Sequence, residues 1–237
     1  MKKSILFFFC LVLIASANAQ NGGFGMAFKG IYAMPTRAGF DKYLKVLSDS
    51  VKLPSTLKND KVFGVGISFL RGNKKAEFEA GGDIVMGVNT QGKTGTNSAT
   101  MKTTDIALHM GGNYKPSKYF MLGAKLVLNN IKGKFDMNEA PVGPLPTFDS
   151  PPDTDFNIFK GYSFGLRAQA GLMIPVSKST DNELGQNVAI RIVPFYQLGI
   201  SKCNYYNMLD NRLKNYNGDK KTASSFAGVS FDVVIGF

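Results

Sequence analysis

Tryptophan is absent from this chain of 237 residues, histidine occurs once and cysteine occurs twice. One of the cysteines, Cys10, lies in the apolar N-terminal segment, which leaves Cys203 without a partner for an internal disulfide. A disulfide framework is therefore excluded as the source of stability. One histidine beside one cysteine also argues against a transition-metal site. We expect no metal and no cofactor.

Long hydrophobic runs are missing from the chain beyond its start. The start has a basic beginning, an apolar run from Ile5 to Ile14 and a small residue at Ala19. This is the layout of a secretory signal peptide, and the run is too short to cross a bilayer core of about 30 Å. We predict a signal peptide over 1–19, and one exported domain over 20–237.

Acidic residues are fewer than basic ones, and removal of Lys2 and Lys3 lowers the formal net charge from +11 to +9. Export and the dispersal of the basic residues argue against a nucleic-acid partner. An anionic membrane surface fits better as the partner of the basic residues in the long loops, and plain solvation of those loops is the alternative. These residues are Arg37, Lys42, Lys45, Lys93, Lys102, Lys202, Arg212, Lys214, Lys220 and Lys221.

Apolar residues recur at every second position in eight segments, which is the period of a half-buried strand. The segments read GFGMAFKGIYAM, KVFGVGISFL, AEFEAGGDIVMGV, TTDIALHMGGNY, YFMLGAKLVLNN, GYSFGLRAQAGLMI, VAIRIVPFYQLGI and SSFAGVSFDVVIGF. Short connections, including tight turns at RGNK and KPSK, alternate with long ones. An even number of strands with loops long at one end predicts an all-β fold, an eight-stranded antiparallel up-and-down transmembrane barrel.

Two details modify this prediction. Pro194 lies inside the seventh segment and cannot donate to a ladder, so we expect a bulge or a break in pairing there. The segment FDKYLKVLSDSV spaces its apolar residues at helical intervals, which predicts a short amphipathic helix in the first long loop. Its apolar residues are Phe40, Tyr43, Leu44, Leu47 and Val51.

Alternation alone does not say which face meets lipid, because a soluble calyx shows the same period. Small residues on the polar faces and aromatic residues near strand ends favour an apolar face turned outward. The charged side chains then point inward and form a lumen charge network. Its members are Lys29, Glu77, Glu79, Asp83, Asp105, His109, Lys125, Arg167, Arg191 and Asp232.

Isolated charges in so narrow an interior would be costly, so we expect these groups to pair. Closure of the barrel would bring Lys29 beside Asp232, and Asp232 could instead reach Arg191. A salt-bridge network that plugs the lumen is the favoured interpretation. A gated ion path is the alternative.

His109 is the one residue that suggests catalysis. Asp105 lies on the same face, but four residues of strand separate their Cα atoms by more than about 12 Å. No Gly-x-Ser-x-Gly elbow accompanies them. We therefore expect His109 to be a buried, hydrogen-bonded side chain, and the protein not to be an enzyme.

The last strand carries apolar residues at alternate positions and ends on an aromatic ring. The residues are Val229, Phe231, Val233, Ile235 and Phe237. This pattern resembles the assembly signal of bacterial outer-membrane barrels, and the chain is similar to small OmpA/OmpX-type barrels, generic outer-membrane β-barrels and PorT-like proteins. The missing tryptophan departs from their usual aromatic girdles.

The resemblance implies a porin-like barrel in the outer membrane of a Gram-negative cell, inserted by the barrel-assembly machinery. Lipopolysaccharide and other outer-membrane lipids would be its partners, together with other envelope proteins. The implied roles are envelope integrity, surface interaction, or service in a secretion or motility assembly. Two alternatives stay open, a lipid A-modifying enzyme and a soluble lipocalin-like binding barrel.

Overall fold

A computed structural model describes residues 23–36, 40–50, 61–91, 98–137, 155–176, 187–204 and 221–236. The predicted signal peptide and Phe237 lie outside these residues. Within them, eight antiparallel strands close into one barrel, which confirms the predicted fold class. The barrel strands are β1 (Gly23–Pro35), β2 (Val62–Gly72), β3 (Ala76–Gln91), β4 (Ala99–Ser117), β5 (Phe120–Met137), β6 (Asp155–Pro175), β7 (Asn187–Gly199) and β10 (Phe226–Gly236).

The barrel closes between its first and last strands, β1 and β10, which pair in continuous antiparallel register. A separate ribbon pairs β8 (Cys203–Asn204) with β9 (Lys221–Thr222), and the sequence pattern did not predict it. We call the two rims the turn end, where Gly72 meets Ala76 and Ser117 meets Phe120, and the loop end opposite. No helix in the described part of the chain is long and apolar enough to cross a membrane.

Apolar side chains face outward along the middle of the barrel, as the alternation predicts. On β2, Phe63 and Phe69 are 62% and 61% exposed, whereas Ser68 between them is buried. Their neighbours follow the same alternation on every barrel strand. Because successive side chains of a strand point to opposite faces, one barrel wall presents an apolar outside and a polar inside.

Three strands run further toward the loop end than the alternating segments predicted, β4 for 19 residues, β5 for 18 and β6 for 21. In these extensions the two faces exchange character. Phe135 and Phe159 point inward and are fully buried, whereas Lys132 and Lys160 are exposed on the outside. The outer face of the barrel wall is therefore apolar in its middle and polar at its loop end.

The predicted helix is present as α1 (Phe40–Ser50) and lies over the loop end. Phe40 and Leu44 are fully buried, and the Phe40 ring meets the Phe159 ring edge-on with centroids 5.3 Å apart. The side chain of Leu47 and all of Val51 lie outside the described residues. The helix thus packs on Phe159 of β6 at the loop end.

The turns at the other rim match the sequence only in part. At RGNK, the Asn73 side-chain oxygen accepts hydrogen bonds from the backbone N–H groups of Lys75 and Ala76, at 2.8 and 2.9 Å. The turn predicted at KPSK lies further along the chain, because β4 continues through Ser117 and the chain reverses at Lys118 and Tyr119. A register shift after Tyr114 accommodates the proline of this segment.

Pro194 causes a break in pairing and no bulge. It pairs with Val229 of β10 in unbroken register. On the other side, the ladder with β6 pauses between Phe195 and Ile192 and resumes in the same register. The missing N–H of Pro194 therefore faces β6, where the ladder is interrupted.

Candidate functional site

The ten residues of the lumen charge network all lie inside the barrel and are at most 6% exposed. They come from β1, β3, β4, β5, β6, β7 and β10. β2 contributes Gly64, Gly66 and Ser68 to the interior, and these small residues leave space between the long side chains of β1 and β3. A Cβ atom on Gly66 would collide with the carboxylate of Asp83, so glycine is required where the network is tightest.

Glu79 is the centre of the network. Its carboxylate binds the ammonium groups of Lys29 and Lys125, the latter at 2.6 Å. The Asn113 amide donates to the second carboxylate oxygen at 3.0 Å. Charge-assisted bonds of this kind are about twice as strong as neutral ones. One carboxylate oxygen therefore binds two cations, which come from strands on either side of β3.

Glu77, nearer the turn end, is bound by an arginine and a lysine. Arg191 reaches both carboxylate oxygens, at 2.8 and 2.7 Å, in the forked geometry that guanidinium groups favour. Lys115 binds one of the same oxygens at 2.7 Å. Asn113 donates to Glu77 as well, at 3.2 Å, and so links this pair to Glu79.

Asp83 forms the third cluster, nearer the loop end. Arg167 donates to it at 2.7 Å and to the Gln197 side-chain oxygen through two further N–H groups. The guanidinium of Arg167 also lies over the Phe195 ring, 4.8 Å from its centroid. An arginine held by an anion, an amide and a ring is fixed in one orientation.

Asp232 lies beside both of its expected alternative partners, Lys29 and Arg191, but it forms an ion pair with neither. Asp232 is the register partner of both Lys29 and Arg191, but Lys29 binds Glu79 and Arg191 binds Glu77. Side chains of adjacent strands point into the lumen side by side, so the longer glutamates across the interior receive the cations instead. Among the described residues, Asp232 has no ion pair, and its Oδ1 atom has no hydrogen-bond donor.

Asp105 lies nearest the loop end and accepts a hydrogen bond from the Ser224 hydroxyl at 2.7 Å. As expected, it does not meet His109. The histidine faces Asp83 instead, with Nδ1 3.4 Å from Oδ2. The four-residue spacing along one strand keeps Asp105 and His109 in different clusters.

His109 has three polar neighbours in addition. Its Nε2 atom lies 3.1 Å from the Ser68 hydroxyl, 3.2 Å from the Lys29 ammonium and 3.6 Å from a Glu79 oxygen. Ser68, His109 and Asp83 thus touch in the order of a hydrolytic triad. All three are at most 3% exposed, so a substrate would have to displace the surrounding side chains to reach the hydroxyl.

Sequence reasoning did not include several polar residues that complete the network. They are Ser68, Asn113, Lys115, Asn129, Gln169, Gln197 and Ser224. Most share the inward parity of a charged neighbour, as Gln169 does with Arg167, and parity could have identified them. Lys115 has the same parity as Asn113, but it lies in the predicted KPSK turn and not on a predicted strand.

The expected assembly signal is described in part. Phe231 and Val233 lie on the outer face of β10, at 54% and 46% exposure, and Val229 and Ile235 are partly exposed. Phe237 lies outside the described residues. No group of three or more His, Cys, Asp or Glu side chains within the described ranges is arranged to hold a metal ion.

Comparisons with known proteins give similarities of fold at low identity. The sequence matches no family model and no curated protein. Neisserial surface protein A is 11% identical with a TM-score of 0.39, over 90% of this chain and 95% of that one. The attachment invasion locus protein Ail of Yersinia pestis is 11% identical with a TM-score of 0.37, over 91% and 97%. The outer membrane protein OprG of Pseudomonas aeruginosa is 12% identical with a TM-score of 0.39, over 91% and 94%.

Proposed function

We propose that this protein is a non-enzymatic barrel of the bacterial outer membrane, with a closed interior and with its function at the loop end. The observation that supports this most strongly is the belt of exposed apolar side chains around the barrel. On β6 the belt runs from Tyr162 to Ile174. At the strand rise and tilt usual in barrels, this length covers about 27 to 33 Å, the thickness of a bilayer core.

The belt argues against a soluble lipocalin-like barrel. Such a barrel would turn its apolar side chains inward around a ligand, whereas this interior holds paired carboxylates, ammonium groups and guanidinium groups. Soluble monomers rarely expose apolar patches larger than a few hundred Å². Lipid on the outside removes that cost, and barrel closure leaves no unpaired strand edge in the bilayer.

The closed interior is supported by the packing at both ends of the charge network. At the loop end, Phe40 of α1 and Phe159 cover it. Toward the turn end, Met121, Met173 and Val193 form a buried cluster. Between them the charges bind one another, so an ion would have to break these pairs to pass. We propose that the network supports the barrel wall and conducts no ions.

Because the interior is closed, the loop end carries the proposed function. The candidate functions are envelope integrity, surface interaction and membership of a secretion or motility assembly. The polar outer face of the loop end would stand above the membrane and be open to partners. Export would use the expected signal peptide, and the barrel-assembly machinery would insert the chain.

The first experiment is extraction and gel mobility. The proposed barrel requires detergent to stay dispersed and migrates faster on a gel unheated than boiled, because the intact barrel binds less denaturant. Protein that remains dispersed in plain buffer and shows one mobility contradicts the membrane assignment.

The second experiment separates the closed barrel from an ion path and from an enzyme. We expect no steady conductance in a planar bilayer, and none from Arg167→Ala. Steady conductance that Arg167→Ala increases would support an ion path instead. Expression should leave the mass spectrum of lipid A unchanged, and a mass change that His109→Ala abolishes would make the protein an enzyme.

A further inference from the structure

Four lysines gather on the outer face of the loop-end extensions of β4, β5 and β6. Lys102 is the register partner of Lys134 across β4 and β5, and Lys132 is the register partner of Lys160 across β5 and β6. Register partners on one face have Cβ atoms about 4.5 to 5.5 Å apart. The two ammonium groups of such a pair repel each other, and a bound anion would relieve this repulsion.

The first pair already has its anion. Asp136 binds Lys102 and Lys134, each at 3.1 Å. Partial burial raises the pKa of Asp136, but the hydrogen bonds and charges of the two lysines outweigh this and lower it below its ordinary value. The carboxylate therefore stays ionised between the two ammonium groups.

The second pair has no such partner. Lys132 and Lys160 are exposed, and neither has an ion pair within the ranges that the structure describes. Thr104, the register partner of Lys132 on β4, continues the same row. Two adjacent cations are thus held by the barrel wall with their repulsion uncompensated, and an external anion would relieve it.

The height of this pair in the barrel indicates where that anion comes from. The row beneath it pairs Asn130 with Tyr162, and the next pairs Leu128 with Phe164 in the apolar belt. Each row spans two residues, which is about 5 Å in height at the usual tilt. The lysines therefore lie one row above the interfacial tyrosine, at the depth of lipid headgroups.

We propose that Lys132 and Lys160 form a binding site for the phosphate of a lipid headgroup in the outer leaflet. The two ammonium groups supply up to six donors to the phosphate oxygens. The acyl chains of the same lipid lie along Leu128 and Phe164 below. A soluble polyanion would gain only the charge contact, whereas a phosphorylated lipid gains both. This inference rests on the proposed membrane location.

The test measures lipid binding to the full chain in phosphatidylcholine nanodiscs that contain increasing fractions of diphosphoryl lipid A. Native mass spectrometry counts the retained lipid A. We expect the variant K132A/K160A to raise the Kd about 30-fold, since each lysine near an anionic surface strengthens binding about fivefold and the two factors multiply. K132R/K160R should bind as the wild type does. K74A/K75A removes the same charge at the turn end and should leave binding unchanged.

Three outcomes would overturn the site. They are unchanged binding by K132A/K160A, equal retention of lipid A stripped of its phosphates, and displacement of lipid A by millimolar inorganic phosphate. The last would assign the site to a soluble anion. The proposed function is checked separately, because every variant should still require detergent and shift on heating. Loss of that behaviour in the wild type would overturn both proposals, whereas its retention beside unchanged lipid binding would overturn this one alone.

Discussion

Removal of the central carboxylate is the perturbation that best tests the closed interior. In Glu79→Gln the two ammonium groups of Lys29 and Lys125 lose their shared anion while both side chains remain 2% exposed. Breaking a buried ion pair from one side costs about 3 to 5 kcal/mol. Because Glu79 serves two cations, we expect the loss in the free energy of unfolding to lie in the upper part of that range.

The assay is reversible urea unfolding of the barrel in detergent micelles or lipid vesicles. Unfolding is monitored by the gel shift and by far-ultraviolet circular dichroism, since the chain has no tryptophan to provide a fluorescence signal. Asp136→Asn is the matched control. It also removes an anion that binds two lysines, but outside the barrel and partly exposed, so its cost should stay below about 1 kcal/mol.

A compensated variant completes the test. Lys29→Met, Glu79→Leu and Lys125→Met together replace the ion cluster by apolar side chains of similar volume, which is often neutral or stabilising in a dry interior. We expect it to recover most of the stability lost in Glu79→Gln. A cost of Glu79→Gln no larger than that of Asp136→Asn would refute the reasoning, because it would mean that water screens the lysines inside the lumen.

Three further predictions concern packing. Gly133→Ala would place a Cβ atom 2.5 Å from the Phe159 ring and should destabilise the barrel by about 1 to 3 kcal/mol in the same urea assay. Gly112→Ala is the control and should cost little, because its Cβ atom meets only one atom, at 4.0 Å. Equal effects of the two variants would count against the loop-end packing. Phe40→Ala should detach α1 and increase protease cleavage within 40–50. The gel shift should be unchanged, because the barrel wall stays intact. Protease resistance equal to that of the wild type would contradict the docking of α1. Pro194→Thr restores an N–H toward β6 and should stabilise the barrel by about 0.5 to 1.5 kcal/mol, and a loss of stability would indicate that the proline ring itself fills the gap.

The sequence by itself determined the number of barrel strands, the face of each that turns inward, and the helix of the first long loop. These features depend on local periods, since alternate residues of a strand share a face and residues three and four apart share a side of a helix. The same alternation predicted that the ten charged residues would lie inside, and the missing N–H of Pro194 predicted a bulge or a break in pairing.

Only the tertiary structure decided which of those charges meet. Glu79 binds Lys29, 50 residues away, because β2 places small residues between them and the glutamate is long enough to reach across. Adjacent strands suggested Asp232 instead, since register alone does not show how far a side chain extends into a closed lumen. The Lys132–Lys160 pair likewise depends on the register of β5 and β6. Both lysines face outward because the strand faces exchange polarity above the apolar belt, and only the structure shows where the belt ends.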